Sequence, residues 1–356
     1  MDEVLGALRP APYTEEPVRF TGHGGDYFRI WIVNLLLTIV TLGIYSPWAK
    51  VRRLQYFYRH TELAGSSFDF HGKPLRILIG RAIALAMVLV YNIAVRMQSV
   101  WTLVVIAVIA LIAPWLLRNS LRFRLYNTSW RGTRFHFRGS VGGAYRVFLL
   151  NGVLTVITLY LLAPFAHQRL KAWQHNNSFF GKTPFSFRAG VGDFYLTYLL
   201  VFLGVAMFTT VAVTGGLNGI LAPLMKQGGV LNPKAFFVSL ATLWAALILI
   251  GLSIGSIFYA ALTNLIWNNT GLGEHQIDCQ ISWPRMVWIA FSNFVLVVVT
   301  LGFFTPWAMV RLYRFQAESF TLLRTSDLTE FVDAEPEAVG ALGEEAASAF
   351  DFDIAL

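Results

Sequence analysis

Long apolar stretches, separated by short polar and basic segments, dominate the hydrophobic pattern of the chain. A helix needs about 20 apolar residues to cross the hydrocarbon core of a bilayer. Seven stretches come close to or exceed that length: residues 30–49, 97–117, 147–168, 194–225, 235–273, 286–310 and 77–95. The stretch 77–95 contains one charged residue, Arg81, near its start. The pattern therefore predicts about seven transmembrane helices.

Three of these stretches share one spacing of polar residues, in which Thr follows Asn by seven positions and Pro follows Thr by six. They are Asn34–Thr41–Pro47, Asn151–Thr158–Pro164 and Asn293–Thr300–Pro306. In addition, Pro47, Pro114 and Pro164 each precede the second phenylalanine of a Phe-x-Phe pair by 23 residues. Shared spacing of this kind is the sign of a duplicated unit. It predicts about five copies, with copies two and four degenerate.

Each part of the unit predicts a local structure. Ser46-Pro47 and Thr305-Pro306 are typical of a helix start, with an N-cap followed by proline at the first helical position. The tryptophan and arginines after each proline favour an amphipathic helix on the membrane surface. The alternating Phe-x-Phe pairs, as in GSSFDFHG and GTRFHFRG, favour short strands. Strands from several units could pair into a small sheet.

The predicted fold is an all-α polytopic membrane protein with about seven transmembrane helices from degenerate repeats. Interfacial amphipathic helices and short β-strands would cap one face of it. Three segments are expected: a polar N-terminal segment at 1–17, a repeat-built transmembrane domain at 18–324 and an acidic, disordered tail at 325–356. Strands at both ends of a unit can share a face only if the Pro-Trp helix re-enters the membrane, and the sequence leaves this open.

Composition agrees with a membrane location. Of the 356 residues, 56% are hydrophobic and 13% charged, about half the charged share of a soluble domain. The single cysteine, Cys279, excludes a disulfide framework. The net charge is +8, although nine acidic and no basic residues follow Arg324. A basic body suits anionic lipid headgroups better than nucleic acid, because its basic residues lie directly beside apolar stretches.

The positive-inside rule predicts the topology. Seven crossings, with the most basic loops in the cytoplasm, place the C-terminus in the cytoplasm and the N-terminus outside. The loop 169–188 conflicts with this arrangement, because it would face outward with four basic residues.

The repeated Asn and Thr residues form the first candidate site. They could line a polar path for a substrate at the repeat interfaces, or they could hydrogen-bond between helices and hold the bundle together. The set comprises Asn34, Thr41, Asn151, Thr158, Asn293 and Thr300.

Aromatic and basic residues near the prolines form the second candidate site. They could contact anionic headgroups, since guanidinium binds phosphate bidentately, or they could serve as topology anchors and an interfacial aromatic belt. The set comprises Trp48, Arg52, Arg53, Trp115, Arg118, Arg169, Trp307 and Arg311.

No catalytic constellation, cofactor motif or metal spacing is present, so the sequence predicts neither an enzyme nor a cofactor or metal. The predicted function is channel- or transporter-like, moving or binding a small solute or lipid. The alternative is a non-transporting scaffold or envelope-homeostasis protein that binds anionic lipid. Expected partners are membrane lipids and a small solute, not nucleic acid, and the oligomeric state is open.

The segment 20–74 resembles the YjgN-like family of bacterial inner-membrane proteins, which is defined by a domain of unknown function. The matching pieces include Phe20-Thr21-Gly22, Asn34, the run from Thr41 to Tyr45, Pro47-Trp48-Ala49-Lys50 and Phe68-Asp69-Phe70. The weaker copy at 288–311 resembles the same motif, so the likeness covers about residues 18–324. The resemblance implies a polytopic inner-membrane protein and brings no activity or site residues with it.

Overall fold

A computed structural model of the protein describes residues 13–97, 100–226 and 233–325. The predicted acidic tail and most of the predicted loop at 226–234 lie outside these ranges. The described helices are α1 (Gly24–Val40), α2 (Ser46–Arg59), α3 (Pro74–Arg96), α4 (Trp101–Tyr126), α5 (Val141–Ile157, with a π-helical turn at Tyr145–Leu150), α6 (Ala163–Asn176), α7 (Val191–Lys226), α8 (Pro233–Asn268), α9 (Trp283–Val299) and α10 (Thr305–Ala317). The described strands are β1 (Thr14–Pro17), β2 (Arg19–Phe20), β3 (Thr61–Leu63), β4 (Ser66–Phe70), β5 (Thr128–Trp130), β6 (Thr133–Phe137), β7 (Ser178–Phe180), β8 (Thr183–Phe187), β9 (Thr270–Leu272), β10 (His275–Cys279) and β11 (Phe320–Arg324).

All of these strands join one antiparallel sheet that almost closes on itself. Its order is β1-β11-β10-β9-β8-β7-β6-β5-β4-β3-β2. The two end strands are neighbours in the chain, separated only by Val18. The Val18 N–H donates to the Phe320 carbonyl (2.9 Å), and the Thr21 N–H donates to the His60 carbonyl (2.9 Å). The segment 14–21 therefore bridges β11 and β3, and the sheet becomes a nearly closed barrel.

Antiparallel helix pairs connect successive parts of this barrel. They are pair 1 (α1/α2), pair 2 (α3/α4), pair 3 (α5/α6), pair 4 (α7/α8) and pair 5 (α9/α10). The first helix of each pair follows a strand of the barrel and the second helix leads into the next strand. Both ends of every described pair therefore lie at the same face of the molecule.

The all-α prediction with about seven transmembrane helices is wrong. Within the described ranges, three helices are long and apolar enough to cross a membrane: α3, α4 and the part Leu240–Asn268 of α8. The physical reason lies in the turns. The apolar stretches 30–49, 147–168 and 286–310 each contain the end of one helix, a tight turn and the start of the next helix. Such a stretch has the apolar length of one crossing without being a single helix.

In the described residues, the helices predicted to lie on the membrane surface are the second members of helix pairs. In pairs 1, 3 and 5 the helix that begins at the proline runs back to the barrel alongside the preceding helix. These helices have 13 to 17 residues, or about 20–26 Å at 1.5 Å per residue. That is less than the hydrocarbon core of about 30 Å. The short pairs are thus helical hairpins whose single helices are too short to cross that core.

The turns at the tips of the short pairs are apolar and exposed. Leu42 is 94% exposed, Leu159 85% and Leu301 88%. Large apolar side chains at such exposure are unfavourable in water and suit hydrocarbon. This placement agrees with tips that enter the bilayer.

Hydroxyl side chains join the helices to the barrel. Thr61, Thr128 and Thr270 each begin a strand directly after a helix, and each Oγ1 donates to the carbonyl four residues earlier at 2.7–3.0 Å. Ser178 does the same at the end of α6 (2.7 Å). These bonds satisfy carbonyls that a helix end leaves without a partner.

The interior of the barrel is packed with apolar side chains. One contact cluster draws on all the hairpins: Leu63, Phe68, Trp130, Phe135, Phe180, Phe185, Leu272, Ile277 and Leu322. We call this cluster the barrel core. The first phenylalanine of each predicted Phe-x-Phe pair belongs to it, whereas the second packs against helices, as Phe70 does against Val51 and Phe123. The pair repeats because one position fills the barrel and the other fixes it to the helices.

The two ends of the described chain lie side by side in the sheet. Strand β1 pairs with β11 over Thr14–Pro17 and Thr321–Arg324, so both ends of the described chain lie at the barrel. Part of the predicted N-terminal segment 1–17 is thereby a strand of the sheet.

Candidate functional site

The threonines of the predicted polar path lie at the turns of the short pairs. Thr41 Oγ1 donates to the Leu37 carbonyl (2.7 Å) and accepts from the Tyr45 N–H (3.0 Å). Thr300 makes the equivalent bonds to Leu296 (2.6 Å) and Phe304 (3.0 Å), and Thr158 makes the same two contacts in pair 3. Because hydrocarbon offers backbone groups no water, these bonds explain why threonine recurs there.

The asparagines of that set are buried within the first helices of the short pairs. Asn293 Nδ2 donates to the Ala308 carbonyl (3.1 Å), which joins α9 to α10. Asn34 and Asn151 are buried at the equivalent positions of α1 and α5. The contact of Asn293 favours the helix-joining alternative for this residue, whereas a role in a substrate path stays a prediction.

The predicted headgroup residues fall into two groups. Arg52 and Arg169 are exposed, with their guanidinium groups over the rings of Tyr45 (5.7 Å) and Phe165 (5.2 Å). Arg118 instead donates to the Gly139 carbonyl (2.7 Å) and Arg311 to Ser292 Oγ (2.7 Å). Only the first two have both the exposure and the setting expected of a headgroup contact.

The remaining members of that set are half-buried or partly exposed. Trp48 stacks on Tyr45 (6.0 Å), and Trp307 stacks on Phe28 (5.0 Å). Trp115 and Arg53 are half-buried on α4 and α2.

A polar cluster that the sequence prediction missed lies on the buried side of α6. Gln168, Lys171, Gln174 and His175 are all buried; Lys171 is 8% exposed and Gln174 1%. Positions 168, 171 and 175 recur at helical spacing on one face. The position of Gln168 relative to the proline is occupied by Val51 in α2 and Val310 in α10, which are buried apolar residues. Pair 3 thus has a polar residue at a buried position that is apolar in pairs 1 and 5.

Other pairs contribute to this cluster, which places it at the axis of the ring. Burial, followed by the charge of Arg124 on α4, lowers the pKa of Lys171 to about 8. Arg124 also acts on the pKa of Tyr313 on α10, which burial raises to about 12. The Tyr313 hydroxyl lies 3.1 Å from Thr61 Oγ1. Pairs 2 and 5 are not neighbours around the ring, so this interaction crosses it. We call Arg124, Lys171, Gln174, His175 and Tyr313 the axial cluster.

Two histidines flank Lys171 along α6, four residues before it and four residues after it. His175 Nδ1 lies 3.2 Å from Thr270 Oγ1, and His167 Nδ1 lies 2.9 Å from the Tyr198 hydroxyl. Burial, followed by the Lys171 charge, lowers the pKa of His175 to about 3 and that of His167 to about 4. Both rings are therefore neutral at pH 7.

The sequence carries a signal for the axial cluster. In the run HQRLKAWQHNN at 167–177, Gln168 and Lys171 lie at positions that pair 1 fills with Val51 and Leu54. A comparison of the copies column by column would have found Gln168 and Lys171. Across the described parts of the chain, His, Cys, Asp and Glu side chains form no group of three or more that could hold a metal ion.

Comparison with known proteins assigns a family. A family model described as bacterial protein of unknown function (DUF898) matches residues 15–349. The chain belongs to the DUF898 family. The match confirms the resemblance and extends beyond the predicted 18–324 domain at both ends.

Curated relatives carry a location in their names. Inner membrane protein YjgN of Salmonella typhimurium (strain LT2) is 25% identical over 385 residues, 89% of this chain and 90% of the relative. The protein of the same name from Escherichia coli O157:H7 is 30% identical over 145 residues, 39% of this chain and 35% of the relative. No solved structure matches the chain. The chain is thus an inner-membrane protein of a family without a known function.

Proposed function

We propose that the protein is a multi-pass inner-membrane protein whose barrel faces the cytoplasm and whose helix pairs are copies of one unit. The distribution of basic residues supports this orientation. Among the basic residues whose side chains the structure describes, two lie at the ends of helix pairs remote from the barrel: Arg96 and Lys234. The positive-inside rule then favours a cytoplasmic barrel. In this orientation the basic loop 169–188 no longer conflicts with the rule.

In this proposal the ring of helix pairs acts as a channel or transporter that moves or binds a small solute or lipid at its axis. The observation that carries the proposal is the buried polar face of α6. Buried ionisable and amide groups in a membrane protein are expensive and generally mark substrate or ion pathways. Re-entrant hairpins such as pairs 1, 3 and 5 support the same function, because interrupted helices build many transporter sites.

Thiol labelling tests whether the axis is open to water. In a Cys279→Ser background, Gln174→Cys is expected to react in membranes with a small anionic methanethiosulfonate. Leu272→Cys, in the packed barrel core, is the matched control and is expected to react at least tenfold more slowly. Equal protection of both positions would contradict a solute-accessible axis.

A non-transporting scaffold that binds anionic lipid is the second candidate. The packed barrel core and the exposed, aromatic-backed Arg52 and Arg169 favour it. This candidate predicts that the cysteine of the Gln174→Cys variant does not react with the methanethiosulfonate. It also predicts that phosphatidylglycerol no longer co-purifies when Arg52 and Arg169 are both replaced by glutamine.

A further inference from the structure

Hydrogen-bond accounting on α6 points to a ligand at the axis. Four buried atoms there have no hydrogen-bond partner within the described residues: Gln174 Oε1, Gln174 Nε2, Gln168 Oε1 and His175 Nε2. Buried polar side-chain atoms are nearly always bonded, so a group of exceptions needs an explanation. All four belong to one helix, within one turn of Lys171.

The donor and acceptor roles at this place can be assigned. Thr270 Oγ1 gives its only hydrogen to the Ile266 carbonyl (2.7 Å), so it can only accept from His175 Nδ1. The neutral imidazole therefore carries its proton on Nδ1 and presents Nε2 as an acceptor. Lys171 and Arg124 supply positive charge, and the Gln174 amide supplies a further donor. The axis thus combines cationic donors with an acceptor that needs a hydrogen-bond donor, such as a hydroxyl, from the ligand.

The approach to this place is restricted. The barrel core packs Trp130, Phe180, Leu272 and Leu322 together on the barrel side of the cluster. A polar ligand would meet this apolar core if it came through the barrel. It therefore reaches the cluster from between the helices.

We propose that the axial cluster binds a phosphate-type oxyanion that keeps one P–OH group. Lys171 and Arg124 contact its charged oxygens, the Gln174 amide donates to it, and its hydroxyl donates to His175 Nε2. The proposal rests on the proposed function and specifies its ligand. Two sources share this chemistry, namely free phosphate or a soluble phosphomonoester, and the headgroup of phosphatidic acid.

Calorimetric titration of the full-length protein in detergent with inorganic phosphate tests the proposal. Phosphate is expected to bind at least tenfold more tightly than sulfate, because sulfate has the same shape but no hydroxyl at neutral pH. Lys171→Met and Arg124→Gln are each expected to weaken phosphate binding at least tenfold. Lys182→Met and Arg131→Gln, which change exposed basic residues at the barrel turns, are the matched controls and leave binding unchanged.

The Gln174→Glu variant distinguishes loss of the binding site from loss of the fold. It places a carboxylate one helical turn from Lys171, where we expect it to take the place of the bound anion. This variant is expected to fold with a higher Tm in phosphate-free buffer and to bind no phosphate. Full phosphate binding by Gln174→Glu would overturn the assignment of the site.

Short-chain lipids distinguish the two sources. If dihexanoyl phosphatidic acid displaces phosphate and binds more tightly, the ligand is a lipid headgroup. If phosphate binds and the lipid does not displace it, the ligand is soluble. Dihexanoyl phosphatidylcholine, which has no P–OH group, is the negative control. If neither phosphate nor phosphatidic acid binds the folded protein, the oxyanion site is wrong. The proposed function still holds in that case if Gln174→Cys reacts with the water-soluble reagent.

Discussion

Lys171 is a residue that lowers the stability of the fold. Its pKa lies at about 8 instead of 10.5, because burial and the charge of Arg124 both disfavour the protonated amine. Other titratable groups near Lys171 are His167 and His175 on the same helix and Tyr198 on α7, whose hydroxyl contacts His167. Both histidines are neutral at pH 7. At about 1.4 kcal/mol per unit, the protonated amine costs the fold about 3 kcal/mol. Buried charges retained at such a cost are typical of functional sites.

Replacement of Lys171 by methionine is therefore expected to raise the Tm at pH 7. Between pH 8 and 10.5 the unfolded chain holds a proton that the folded chain has released, so the wild type gains stability as the pH rises. The difference in Tm between the wild type and Lys171→Met should accordingly become smaller from pH 8 to 10. Thermal unfolding in detergent at several pH values measures it, with Lys182→Met as the control. A lower Tm for Lys171→Met at pH 7 would show that the amine serves the fold.

At the scale of elements, the turn of a short pair is the feature that the sequence pattern conceals. Leu42 and Gly43, like Leu301 and Gly302, adopt positive φ angles, and the Gly43 N–H donates to the Thr38 carbonyl (2.7 Å). Two left-handed residues reverse the chain within a run that is apolar throughout. Hydropathy does not distinguish such a turn from the middle of one long helix.

The threonine hydroxyl should contribute measurably to this turn. Thr300→Val removes a bond to the Leu296 carbonyl and leaves the Phe304 N–H without its partner. We expect a loss of about 1–2 kcal/mol in unfolding free energy. Thr242→Val is the matched control, since Thr242 Oγ1 bonds only the Val238 carbonyl of its own helix. If the two substitutions lower the unfolding free energy equally in mixed micelles, the threonine at the turn has no special role.

Prolines and Phe-x-Phe pairs had different predictive value for the elements. The pairs correctly predicted strands at 68–70, 135–137 and 185–187, because alternation directly reflects strand geometry. The prolines correctly predicted the starts of α2, α6 and α10, yet Pro114 lies inside the continuous helix α4. A proline begins a helix where a turn precedes it, as in pairs 1, 3 and 5. Pair 2 has no turn before Pro114, so the helix continues through that proline.

At the scale of the whole molecule, the barrel decides the topology. Each hairpin of the barrel pairs with the next, as β4 does with β5 and β6 with β7. These pairings require every helix pair to leave from and return to the same face. The sequence predicted the strands without the closure, because the pairing of β1 with β11 joins residues about 300 positions apart. The axial cluster was missed for a related reason, since its residues meet only when the ring closes.

The side of the membrane on which Lys182 lies tests the central claim most directly. Lys182 is exposed between β7 and β8, and a seven-crossing chain would place it outside. A Lys182→Cys, Cys279→Ser protein is treated with an impermeant maleimide in spheroplasts and in inverted vesicles. If all helix pairs return to a cytoplasmic barrel, label enters only in inverted vesicles. Labelling of this position in intact spheroplasts would contradict the account.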